Sequence, residues 1–185
     1  MNIQKFFFVV LFTIVSITLS AQILEKGDIT FQAGVGLLPT FFLDASETVV
    51  PPISLTANYR FLNALSVGGY AGYSEYNGVP NENFDGSVNQ FSSKSFLGGL
   101  RLSAHSTKVK NWDVYGGFQV AYSKPSVVNN IIVPSESPIP ETRVNEGFLY
   151  SGFIGATGFV SKNIGLFGEL GYGISLVNLG VTLKL

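Results

Sequence analysis

An all-β, eight-stranded, antiparallel up-and-down transmembrane β-barrel is the fold this sequence predicts. Runs of about ten residues alternate apolar and polar side chains with a period of two, and that is the length a tilted strand needs to cross a bilayer. Charged residues make up only 12 % of the 185, roughly half the share in ordinary globular domains and too few to cover a soluble surface. The connections between runs are alternately long and short, as in a chain that crosses a membrane repeatedly with unequal loops on its two sides.

Residues 1–21 read as an export signal. Lys5 supplies the positive start, Phe6 to Leu19 form an apolar run, and Ser20 and Ala21 offer small residues for cleavage after Ala21 or one residue earlier. The run is too short for a convincing spanning helix. The barrel domain is then 22–185. Of the 11 Lys and Arg, removal of Lys5 leaves 10 against 12 Asp and Glu, a net charge of -2. Cysteine is absent, so neither a disulfide, a lipid-modified cysteine nor thiol chemistry is available. No basic cluster of nucleic-acid-binding size occurs, which sets that class of partner aside.

The first strand, Gly27 to Leu37, sets Ile29, Phe31, Ala33, Val35 and Leu37 against Asp28, Thr30, Gln32 and two glycines. Leu38 to Pro51 reads as a loop. Pro52 to Phe61 alternates again, with Ile53, Leu55, Ala57 and Tyr59 opposite Ser54, Thr56, Asn58 and Arg60, and a tight turn joins it to Ala64 to Tyr76. Asn77 to Phe91, with Asn-Gly, Pro80 and Asp-Gly, reads as a loop. Ser92 to His105 follows, then a short basic turn and the fifth run, Trp112 to Ser123. Lys124 to Glu146 contains four prolines and is expected to be the longest loop, since proline cannot lie in a central strand. In Gly147 to Val160 the expected outward set is Phe148, Tyr150, Gly152, Ile154 and Ala156. Ile164 to Gly173 is the seventh run, and a turn near Gly173 to Leu176 leads into the eighth. There Val177, Leu179, Val181, Leu183 and Leu185 share one face and Asn178, Gly180, Thr182 and Lys184 the other.

The longer loops and strand tips hold Asp44, Glu47, Glu75, Glu82, Asp85, Glu136, Glu141 and Glu146 against Lys94, Lys124 and Arg143; the short turns hold Lys108, Lys110 and Lys162. One rim is therefore acidic and the other mildly basic. Tyr73, Tyr122, Tyr150 and Tyr172 fall near one membrane boundary and Tyr59, Phe61 and Trp112 near the other, the positions of interfacial girdles.

Eight alternating runs, the loop asymmetry, the signal and the terminal strand Asn178 to Leu185 resemble the small bacterial outer-membrane β-barrel family typified by the OmpA membrane domain and OmpX. The resemblance implies an outer-membrane location with both termini in the periplasm and insertion by the barrel-assembly machinery. It also implies contact with outer-membrane lipid, a monomer without cofactor, and a structural or surface-interaction role in which loops meet surface ligands. A narrow pore is the alternative.

Inward charges in so narrow a barrel must pair, because an eight-stranded interior is just wide enough for side chains to fill it. The expected internal network is structural, centred on Arg60, Arg101 and Glu169 with Asp113, Lys184, Tyr70 and Tyr115 around it. His105 is the only histidine. Neighbouring residues on a strand point to opposite faces, so His105 and Ser106 are poorly placed to share a proton, and a lipid A-modifying enzyme is disfavoured. The acidic loops match no calcium-loop spacing, and no metal site is expected. A soluble lipocalin-like ligand carrier would invert the faces, aliphatics in and charges out.

Overall fold

The computed structural model describes residues 24–40, 45–82, 88–106, 112–133 and 145–185. The segment 1–21, the loop charges Asp44, Asp85, Glu136, Glu141 and Arg143, and the turn lysines Lys108 and Lys110 lie outside the described residues. Eight strands build one closed antiparallel ring: β1 Ile29–Gly36, β2 Ala45–Leu62, β3 Leu65–Gly78, β4 Val88–His105, β5 Trp112–Val133, β6 Gly147–Phe159, β7 Ile164–Gly171 and β8 Val177–Lys184. A two-residue strand, Asn81–Glu82, adds a short pairing to the start of β4. Each strand pairs with its neighbour in sequence, and β8 closes on β1 through Phe31↔Leu183, Ala33↔Val181 and Val35↔Leu179.

The closing strand decides which face looks out. Leu179, Val181 and Leu183 are 43–50 % exposed, whereas Thr182 is 1 % and Asn178 4 % exposed. The same division holds around the ring: Phe31, Leu55, Leu100, Phe118, Ile154 and Leu166 face out, while Gln32, Thr56, Arg101, Gln119, Thr157 and Glu169 are buried. An apolar exterior around a closed ladder leaves no backbone polar group unpaired in hydrocarbon, which is what a bilayer demands of a spanning sheet. A lipocalin-like inversion of the faces is thereby excluded.

Two strands are longer at their start, and two at their end, than alternation alone predicts. Residues expected in loops belong to strands at Ala45–Pro51, Asn77–Gly78, Val88–Phe91 and Lys124–Val133. The prolines are tolerated because, among the described residues, one edge has no ladder partner there. The last pair between β1 and β2 is Val35↔Ile53, so Pro51 and Pro52 lie beyond it, where the ladder to β3 also shifts register. Likewise β5 pairs with β6 only as far as Ser123↔Gly147, whereas Pro125 still pairs with Ser95 of β4. Proline costs a ladder bond only where its nitrogen faces a partner. Val160, at the other extreme, leaves β6 and enters the turn.

The consequence is a lopsided cylinder. Strands β2 to β5 run to 18, 14, 18 and 22 residues, against 8, 13, 8 and 8 for β1, β6, β7 and β8. Past the shared ring, β2 to β5 continue as a four-stranded sheet on the side away from the termini.

Inside, glycines face bulky side chains. A Cβ on Gly155 would meet the Tyr115 ring at 2.7 Å, one on Gly34 the Phe167 ring at 2.8 Å, and one on Gly72 the Ile174 side chain at 2.9 Å. Small and large alternate across the bore, which is how a narrow barrel is filled without strain.

Replacement of Val181 by Arg at mid-strand on the outer face should lower the stability of the barrel in lipid vesicles by about 2–4 kcal/mol. Urea unfolding followed by tryptophan emission measures this, and an unchanged midpoint would place that face outside the bilayer.

Candidate functional site

The lumen is polar, layered and full. At mid-height, Arg101 Nη2 donates to Glu169 Oε2 at 2.7 Å and Arg101 Nη1 to Thr56 Oγ1 at 3.2 Å. The Tyr115 hydroxyl donates to the same Glu169 oxygen at 3.2 Å, and Gln32 Nε2 donates to Tyr115 Oη at 3.3 Å and Thr182 Oγ1 at 3.4 Å. The Arg101 guanidinium also lies 3.7 Å from the centroid of the Phe153 ring, with Tyr70 at 5.9 Å. Both ions are buried, and a buried ion is tolerable only when partners replace its lost water.

Above this layer the far mouth is stoppered. In the segment expected as a simple turn, near Gly173 to Leu176, Ile174 and Ser175 fold inward, 1 % and 0 % exposed. The Ile174 N–H donates to Tyr70 Oη at 3.2 Å, and Ile174 packs with Tyr70 and Leu97. Ser175 Oγ donates to the Leu38 carbonyl at 2.6 Å and accepts from the Leu38 N–H at 3.2 Å, tying the stopper to the end of β1. The void among Tyr70, Gln119, Phe153, Glu169 and Ser175 holds about 10 Å³, at most a single water.

At the terminus-bearing end a second charged group forms. Arg60 Nη2 donates to Asp113 Oδ1 at 2.6 Å and Arg60 Nη1 to the Leu24 carbonyl at 2.6 Å. His105 Nδ1 lies 2.9 and 3.1 Å from the two Asp113 oxygens, and His105 Nε2 lies 2.7 Å from Ser66 Oγ. Lys184 Nζ pairs with Asp28 Oδ2 at 2.8 Å. The residues expected to form one network are thus divided among three pairs: Arg101 with Glu169, Arg60 with Asp113, and Lys184 with Asp28. Arg60 stands near the end of β2, just past the Tyr59–Val67 pair as Ser66 is on β3, and its acid is on β5 at that same end.

Ser66 was not legible as the histidine's partner from neighbours in sequence. Ladder register supplies the missing signal: Ser66 pairs with Ser103, and His105 lies two residues along the same inward face of β4. Among the described residues no group of three or more His, Cys, Asp or Glu is gathered closely enough to hold a metal ion.

On the overhanging sheet, Glu75 accepts from the Tyr73 hydroxyl at 2.8 Å and pairs with Lys94 at 3.3 Å. The Tyr73 hydroxyl, and after it the Lys94 ammonium, hold the Glu75 carboxyl below its ordinary range.

Two solved structures share this architecture. The outer membrane protein OprG from Pseudomonas aeruginosa aligns over 87 % of this chain and 97 % of its own, with 13 % identity and a TM-score of 0.60. Ail, the attachment invasion locus protein of Yersinia pestis, solved in complex with the heparin analogue sucrose octasulfate, aligns over 86 % of this chain and 99 % of its own, with 12 % identity and a TM-score of 0.53. No protein-family model and no curated protein matches the chain. The shared feature is the fold: a small eight-stranded barrel of the outer-membrane type.

Replacing Arg101 by Leu leaves Glu169 buried without its counter-ion, and the barrel should lose about 3–5 kcal/mol in urea unfolding. The double replacement Arg101→Leu with Glu169→Leu should recover most of that loss. A double-variant loss equal to the sum of the two single-variant losses would show that the pair is not coupled.

Proposed function

We propose that the chain is a monomeric outer-membrane barrel with its termini in the periplasm, whose working part is the sheet that β2 to β5 raise above the membrane. The protruding sheet is the observation that carries this function. At about 3.3 Å per residue, Lys124–Val133 continues roughly 30 Å past the last β6 pair. Among the described residues its second edge has no partner. The segment Ser126-Val127-Val128-Asn129-Asn130-Ile131-Ile132-Val133 is rich in β-branched residues, and an open edge of that composition accepts an added strand from another protein.

Charge narrows the class of partner. Among the described residues the strand tips on this side carry Glu47, Glu75, Glu82 and Glu146 against Lys94 and Lys124. Ail was solved with a heparin analogue; the acidic rim here repels such a polyanion and favours a neutral or basic protein segment.

A pore is the second reading, and the stoppered lumen opposes it. Ile174, Tyr70 and Leu97 fill the far mouth, and the Arg101–Glu169 layer fills the middle.

A photo-crosslinking residue placed at Val128, which is exposed, should form protein adducts in intact cells, while one at lipid-facing Leu100 should not. Proline at Val127 or at Val128 removes an N–H from the open edge in one of the two cases, since successive N–H groups point to opposite sides; that variant should lose the adducts made from a crosslinker at Ser126. Absence of any protein adduct along the edge would overturn the proposal. In planar bilayers the intact protein should give no openings above the lipid baseline. Persistent openings altered by Arg101→Ala would establish the pore instead.

A further inference from the structure

The group at the terminus-bearing end has an order of contacts that a filled lumen does not require. A carboxylate can only accept hydrogen bonds, and Asp113 is ion-paired with Arg60. In the neutral imidazole, the hydrogen on His105 Nδ1 therefore points at Asp113, and Nε2 is left as an acceptor facing the Ser66 hydroxyl at 2.7 Å. A serine, a base aimed at its proton and an acid fixing the base's tautomer are the parts of an activated nucleophile. They come from three strands, β3, β4 and β5, whose register is fixed by the ladder. The Tyr115 ring, 5.8 Å from the imidazole, walls one side.

We propose that Ser66, His105 and Asp113 form a nucleophilic serine centre at this mouth of the barrel, acting on carboxylic esters. Ser66 Oγ bonds to the ester carbonyl carbon as its proton passes to His105 Nε2. The carbonyl electron pair moves onto oxygen, then returns and expels the alcohol, which takes the proton from His105. Water enters the acyl-serine by the same route, releasing the acid and restoring Ser66. Asp113 holds the imidazole throughout and stabilises its charged form.

The place for the ester carbonyl is already marked. Arg60 Nη1 holds a carbonyl oxygen here, that of Leu24, and Arg60 and Ser66 flank the same Tyr59–Val67 pair of the β2–β3 hairpin. Ser66 is 2 % exposed in this arrangement, and Leu24 is buried at the mouth. Among the described residues, the segment carrying Leu24 is held by Lys26 N–H to Asn63 Oδ1, Gly27 N–H to the Arg60 carbonyl, Arg60 N–H to the Asp28 carbonyl and the Lys184–Asp28 ion pair, besides the Arg60 side-chain contact. Displacing the Leu24 carbonyl frees Arg60 Nη1 as a cationic donor for the oxyanion.

The full chain, inserted in lipid vesicles, is treated with a fluorophosphonate probe, with p-nitrophenyl acetate as the ester. Phosphonylation is expected at Ser66, located by peptide mass spectrometry, and lost in Ser66→Ala. His105→Gln and Asp113→Asn should slow it about 100-fold or more. Leu24→Gly, which loosens the cover, should quicken it. Folding of each variant is read from the gel shift between unheated and boiled samples. Failure of both the folded parent and the folded Leu24→Gly variant to take the probe would overturn the proposal, as would labelling that survives Ser66→Ala.

Discussion

Closure of the ring by β8 on β1 is the constraint from which the other features follow. Seven consecutive pairs, from Thr30↔Lys184 to Gly36↔Asn178, bring the two ends of the described barrel together and remove the open edge that a sheet could not carry through hydrocarbon. Closing after eight strands also sets the bore. At that width the inward side chains touch one another, so every polar group taken into the lumen has to find its partner there. The apolar outside and the crowded polar inside are two results of one closure.

The interior solves that requirement in layers. Arg101, Glu169, Tyr115 and Thr56 hydrogen-bond to one another at mid-height, with Arg101 Nε left over, while Arg60, Asp113, His105 and Ser66 do so near the termini. Glycine opposite a large ring, as at Gly155 beneath Tyr115 and Gly34 beneath Phe167, makes the room. The lower layer differs from the upper in kind. Its contacts pass from an ion pair through an imidazole to a serine hydroxyl, whereas those around Arg101 involve no imidazole.

Much of the fold was legible because alternation is a local property. The period of two in Ile29 to Gly36 and Val177 to Lys184 assigns each residue to a face without knowledge of its partners. Strand ends were less legible because they depend on which edges are paired: Pro125 looks like a terminator until β6 is seen to stop at Gly147. The charged residues could be placed inside, but not matched, since Arg60 and Arg101 are alike in sequence and differ only in height along the bore. Ser66 and His105 are 39 residues apart, and only the β3–β4 register brings them together. Ile174 and Ser175 gave no periodic signal because their inward fold is a contact between a connection and the lumen rather than a feature of any strand.

The unequal strands give the molecule a front and a back within the plane of the membrane. On the side of β6, β7, β8 and β1 the described strands are short. On the opposite side the raised wall faces outward over the lipid like a parapet. Rotation of the barrel about its own axis therefore changes what a neighbour meets, and a partner fixed in the same membrane selects one heading of the cylinder from all the others.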